Sequence, residues 1–77
     1  MKIDQTYDAR GLICPIPILR ARKILMALEA GQYLAIHVSD LSSEQDFKDF
    51  CADQGHLLYQ QIEHSDYRTY IIQAGVV

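Results

Sequence analysis

The sequence predicts an α+β fold, a two-layer α/β sandwich in the order β-α-β-α-β-β, with a four-stranded mixed sheet and two helices on one face. Three observations carry that reading. Apolar residues recur at helical steps after Pro15 and again after Ser43. They alternate residue by residue from Tyr33 to Val38. The last two apolar segments are separated only by a short turn, which predicts an antiparallel hairpin. With 77 residues, 49% of them hydrophobic, the chain is one domain over 1–77, with the composition of an ordinary globular protein.

The first strand is predicted over Ile3 to Tyr7, followed by a loop from Asp8 to Ile13. From Pro15 to Glu29, Ile18, Ala21, Leu25 and Leu28 fall at steps of three, four and three, which places them on one helical face. Gly31, free of a Cβ, is placed to close that helix. Tyr33 to Val38 is the second strand, with Leu34, Ile36 and Val38 on one face and Tyr33, Ala35 and His37 on the other. Ser42 followed by Gln45 has the spacing of a capping box and predicts a helix start near Ser43. Phe47, Phe50 and Cys51 form the apolar stripe of that second helix, and Gly55 is placed to end it. Two strands follow, Leu57 to Glu63 and Tyr67 to Gln73, around a Ser65-Asp66 turn. Tyr7, Tyr33, Tyr59, Tyr67 and Tyr70, each with an apolar ring and a polar tip, suit the sheet face that the helices leave partly wet.

A net charge of −3 argues against a generic polyanion binder, so no direct contact with nucleic acid is expected. No apolar run approaches the roughly 18 residues needed to span a bilayer, and MKIDQTYDAR carries acids where a signal peptide needs an apolar stretch. A cytoplasmic monomer without membrane association is expected. Two cysteines do not make the framework of a small secreted domain, and in a reducing compartment each thiol is free.

The chemistry concentrates in Gly11-Leu12-Ile13-Cys14-Pro15-Ile16-Pro17. Proline is favoured at the first position of a helix, which makes Cys14 the expected N-cap, a place normally taken by Ser, Thr, Asp or Asn. Cysteine does not win there on capping strength. At a helix N-terminus, however, the macrodipole favours the thiolate, and Pro15 and Pro17 leave the amides of Ile16 and Ile18 as the nearest donors. A partly ionised nucleophile is the expectation. Residues 1–23 hold five bases, Lys2, Arg10, Arg20, Arg22 and Lys23, against two acids. A basic rim of this kind favours a bound anion and an acidic partner, although the same charges also read as an ordinary solvated helix face.

The stretch from Asp8 through Pro17 resembles the Cys-Pro-x-Pro motif of the TusA/SirA family of small sulfur-carrier proteins. The likeness extends to Arg22-Lys23, Phe50-Cys51, Tyr67-Arg68 and Gly75. It implies a sulfurtransferase-type carrier in which Cys14 accepts sulfane sulfur as a persulfide from a cysteine desulfurase or other persulfide donor. The carrier then relays that sulfur to a downstream acceptor, in tRNA thiolation or another sulfur-trafficking pathway. Arg10, Gly11, Pro15, Pro17, Arg22 and Lys23 would serve anion holding and partner docking; no cofactor or metal is implied. The chain departs from the pattern at Ile16, where many members carry Glu, at Ser39-Asp40-Leu41, which lacks an Asp-Pro pair, and at Gln73-Ala74, where some relatives are basic.

Other residues read more plainly. Cys51 lies on the stripe of the second helix as a small buried hydrophobe, or else as a resolving thiol for Cys14. His37, His56 and His64 lack metal-ligand spacing and read as structural or solvated. Asp40, Glu44, Asp46, Asp49 and Asp53 read as a solvated acidic face. Two other functions remain: a non-catalytic regulatory or redox-sensing interaction module, and an RNA-binding sheet face, which the charge disfavours.

Overall fold

The computed structural model describes residues 2–13, 15–40 and 42–75. The elements run β1 (Gln5–Asp8), α1 (Ile16–Ala27), β2 (Tyr33–Val38), α2 (Ser43–Gln54), β3 (Leu57–Glu63) and β4 (Arg68–Gln73). The spatial order of the sheet is β1-β2-β4-β3, with β1 parallel to β2 and the other two pairings antiparallel. This is the mixed sheet and the β-α-β-α-β-β order that the periodicity predicts.

Alternation along the strands sorts the side chains between two faces. Leu34, Ile36 and Val38 of β2 and Tyr70 and Ile72 of β4 enter one core with Ala21 and Leu25 of α1 and Phe47, Phe50 and Cys51 of α2. Both helices therefore cover the same face. The predicted stripes hold: Ala21 and Leu25 are buried, with Ile18 and Leu28 packed against the core, and Phe47 is wholly inaccessible. The tyrosines divide, contrary to the single face expected of them. Tyr70 is fully buried on the helix side and stacks on Phe47 at 4.6 Å between ring centroids, and Tyr7 packs against the same core. Tyr33 and Tyr59 meet edge to face at 5.5 Å.

Two local expectations are corrected. Helix α1 ends at Ala27, and its C-cap is Leu28 in an extended conformation, so Gly31 does not close it. Gly31, with φ +91°, instead turns the chain into β2 and donates its amide to the Ala74 carbonyl. The Ser42 capping box does not form: Ser42 has helical dihedrals and its hydroxyl donates to Asp40 Oδ1 at 2.6 Å, while Gln45 donates to Asp49. Asp40 organises this helix start, its side chain accepting the Ser42 amide and its carbonyl accepting the Ser43 hydroxyl. Gly55 does end α2 in the left-handed region, as predicted.

Candidate functional site

The motif loop leaves the sheet at the C-terminal ends of the parallel pair β1 and β2. The Ala9 amide continues the ladder onto the His37 carbonyl at 2.8 Å, and Ala9 is fully buried. Residues 9–12 close a turn through the Leu12 amide and the Ala9 carbonyl. Gly11 sits in that turn at φ +83°, a conformation that L side chains adopt at a cost, and its amide donates to Ser39 Oγ at 2.8 Å. The loop is thus tied to the end of β2 through backbone and side chain together.

The cap position of α1 is Pro15, one residue later than expected, and no side chain caps the helix. Pro17 falls in the first turn and is buried, whereas Pro15 is exposed. The first-turn amide of Ile16 donates to the Ile13 carbonyl at 3.0 Å, which removes it from the donors expected to face a thiolate. Cys14, the expected nucleophile, lies outside the described residues. Ile13, which precedes it, and Ile16, two residues beyond it, are both exposed, Ile13 at 70%, and Leu19 one turn further along is 57% exposed. These solvent-facing aliphatic residues carry no sequence signal of their own, because periodicity marks only the side that packs.

Of the basic residues, Arg20, Arg22 and Lys23 are exposed on α1, and among the described residues no ion pair involves them. Arg10 is different. Its Nε and Nη2 donate to the two carboxylate oxygens of Asp8 at 2.9 and 3.0 Å. The Arg10 side chain, followed by its backbone amide, holds the Asp8 carboxyl down from 3.8 to about 2. The Arg10 guanidinium carbon also lies 4.9 Å from the centroid of the Tyr67 ring.

Below that ring is an arrangement that sequence reading missed. Thr69 Oγ1 lies 2.7 Å from His37 Nδ1 and 2.9 Å from His64 Nε2, so one buried hydroxyl joins two imidazoles. The Tyr67 ring stacks on His64 at 4.1 Å and meets His37 edge-on at 5.6 Å. The third histidine is unrelated: His56 Nδ1 accepts the Gly75 amide at 2.9 Å.

Cys51 is 3% exposed, and burial pushes its thiol up from 9.0 to about 11, so the buried-hydrophobe reading holds. The acidic face is partly engaged, since Glu44 pairs with Lys48 and also with Arg68, at 2.7 Å for the latter. Among the described residues no cluster of His, Cys, Asp or Glu could hold a metal ion. No helix among them is long and apolar enough to cross a membrane.

This arrangement has close parallels. The family model described as Sulfurtransferase TusA matches residues 5–73. The sulfur carrier protein TusA of Allochromatium vinosum is 45% identical over 78% of this chain and 79% of its own. The YrkI protein of Bacillus subtilis is 39% identical over 97% of this chain and 100% of its own. The crystal structure of a SirA-like protein from Desulfitobacterium hafniense superposes with a TM-score of 0.81 at 32% identity, covering 92% of this chain and 97% of that one. Motif, strand order and whole-chain similarity agree, and the chain belongs to the TusA family of sulfur carriers.

Proposed function

We propose that Cys14 carries the sulfur atom as a persulfide, receiving it from the persulfide of a donor such as a cysteine desulfurase and relaying it to an acceptor protein. The observation that carries this reading is the cysteine of the Cys-Pro-x-Pro motif, standing between a loop pinned to the sheet and the start of α1, inside the family match. The exchange balances without an added oxidant. The Cys14 thiolate attacks the outer sulfur of the donor's Cys-S-SH, the donor's S–S bond breaks, and the donor cysteine leaves as a thiolate. The same step in reverse sense, with an acceptor thiolate as attacker, returns Cys14 to the thiolate.

A second thiol beside Cys14 would divert this chemistry by releasing the outer sulfur as sulfide. Cys51 is buried in the core and its thiol stays protonated at neutral pH, which supports a carrier that retains its cargo. The exposed Ile13, Ile16 and Leu19, bordered by Arg20, Arg22 and Lys23, give the motif end an apolar and basic surface suited to partner proteins with acidic rims. Pro15 belongs to that surface, whereas Gly11 and buried Pro17 shape the loop and the first turn. Action in the cytoplasm as a monomer, and delivery into tRNA thiolation or another sulfur-trafficking route, complete the reading.

Intact mass spectrometry tests it. Incubation with a cysteine desulfurase, pyridoxal phosphate and cysteine adds about 32 Da, one sulfur atom, in a form removed by a reducing thiol. Cys14→Ser takes up no sulfur and keeps its circular dichroism spectrum. Equal uptake by Cys14→Ser, or none by the wild type with a desulfurase active on another acceptor, overturns the proposal.

A further inference from the structure

The end of the sheet that launches the motif loop carries a row of polar groups with no part in the core. Register places Asp8 of β1 beside His37 of β2, and His37 beside Thr69 of β4. His64, one residue past β3, completes the row through Thr69. Alternation puts these side chains on the sheet face opposite the helices, since Tyr7, Ile36, Val38 and Tyr70 point into the core. Tyr67 lies across His37 and His64, and Arg10 lies across Tyr67.

The hydrogen-bond count makes this a defined seat. A threonine hydroxyl has one proton to give and two lone pairs to receive, so a single oxygen can serve both ring nitrogens at once, whichever tautomers the imidazoles adopt. Thr69 is 5% exposed, which leaves water little room to replace it. With both imidazoles fixed through one oxygen, the ring of Tyr67 has a rigid base to stack on. Arg10 is then held on two sides, by the Asp8 carboxylate along one edge and by the Tyr67 face. Of the five N–H donors of a guanidinium, Asp8 takes two, and the side chain remains half exposed. The other donors suit the planar, paired oxygens of a carboxylate.

We propose that Tyr67, seated on the His37–Thr69–His64 bridge, is a positioning residue for Arg10, and that Arg10 so held receives a carboxylate of the protein that exchanges sulfur with Cys14. The docking half of this inference rests on the sulfur-relay reading above; the seat itself does not. Arg10 acts four residues ahead of Cys14, on the loop that the Gly11–Ser39 hydrogen bond fixes to β2. The role of Tyr67, Thr69 and the two histidines is to save the partner from ordering a long, flexible cation when it docks.

The test combines kinetics with a spectroscopic signature. Sulfur loading by a cysteine desulfurase is measured against carrier concentration for the wild type, Tyr67→Leu, Tyr67→Phe, Thr69→Val, Thr69→Ser and Arg10→Ala. In parallel, NMR follows the Arg10 Nε–H resonance, which the facing Tyr67 ring shifts and the Asp8 bond protects from exchange. Tyr67→Leu and Thr69→Val are expected to raise KM by about two- to fivefold, the size of an exposed cation–π contact, with kcat unchanged. Tyr67→Phe keeps the ring and Thr69→Ser keeps the hydroxyl, and both restore the wild-type KM. Tyr67→Leu added to Arg10→Ala raises KM no further.

A Tyr67→Leu protein that is folded, has lost the Arg10 resonance shift and still loads with the wild-type KM overturns the docking role. An Arg10 Nε–H that is mobile in the wild type overturns the seat. Failure of the wild type to accept sulfur is a different result: it removes the sulfur-relay reading and the docking role built on it, and the NMR comparison alone then decides whether the seat exists.

Discussion

Cys51 is the second of the two thiols in the sequence, and its environment gives a quantitative expectation. With the thiol raised from 9.0 to about 11, the thiolate fraction at pH 8 is about one in a thousand, against about one in eleven at the ordinary value. The more basic thiolate is the better nucleophile, which returns about eightfold and leaves roughly a tenfold deficit from ionisation. Access adds to it, because Cys51 is 3% exposed among Phe47, Phe50 and Tyr70. If labelling required global opening, a domain stable by about 5 kcal/mol would slow it by a few thousandfold. Cys14→Ser leaves Cys51 as the sole thiol. Its alkylation by iodoacetamide at pH 8 should therefore run at least about tenfold slower in the native protein than in urea. Native labelling within about threefold of the unfolded rate refutes the burial argument and reopens Cys51 as a resolving thiol. The linkage has a definite sign. A thiol whose pKa is raised on folding contributes stability that is complete below its unfolded value near 9 and is lost as pH rises toward about 11.

Two further predictions concern the motif loop. Gly11→Val forces a β-branched residue into φ +83°; a Cβ there meets nothing within 4 Å, so the cost is backbone strain of about 1–2 kcal/mol. At about 4–8 °C per kcal/mol for a domain of this size the loss is visible in a thermal melt, Gly11→Asn should lose clearly less, and equal melting of Val and wild type rejects the strain. For Asp8, the carboxyl carbon followed by NMR should titrate with a midpoint near 2, returning toward 3.8 in Arg10→Gln. This depressed group contributes stability that is present above about 3.8 and lost as pH falls through about 2; a wild-type midpoint near 3.8 shows that the Asp8–Arg10 pair is not formed in solution.

What the sequence disclosed and what it withheld divide along a physical line. Periodicity reports which side of an element is buried, and so β2, β3, the stripe of α2 and the buried state of Cys51 were legible from spacing alone. Spacing also singles out the motif cysteine as a candidate, because a Cys-Pro-x-Pro run at a helix start has few purely structural reasons to exist, but Cys14 itself lies outside the described residues. Local polar chemistry was less legible. The Ser42–Gln45 spacing fits a capping box, yet Asp40 lies within reach of the Ser42 hydroxyl and wins it, a competition between neighbours that no pattern ranks.

Long-range polar geometry was not legible at all, and the reason is topological. His37 and His64 stand 27 residues apart and look unrelated until β4 inserts between β2 and β3 and brings Thr69 to both. Tyr67 and Tyr70 have the same composition signal, but three residues along a strand put them on opposite faces, one under Arg10 and one under Phe47. The same strand order that buries Tyr70 therefore delivers Tyr67 to the loop carrying the motif. In a chain this short, core and site share their elements: β4 supplies Tyr70 and Ile72 to the core and Thr69, just ahead of them, to the seat, with Tyr67 immediately before the strand. Thr69→Val is the substitution that separates the two roles, since it keeps the shape of a buried strand residue and removes only the hydroxyl on which both imidazoles depend. If the fold were all that Thr69 served, that change would leave Arg10 where it is.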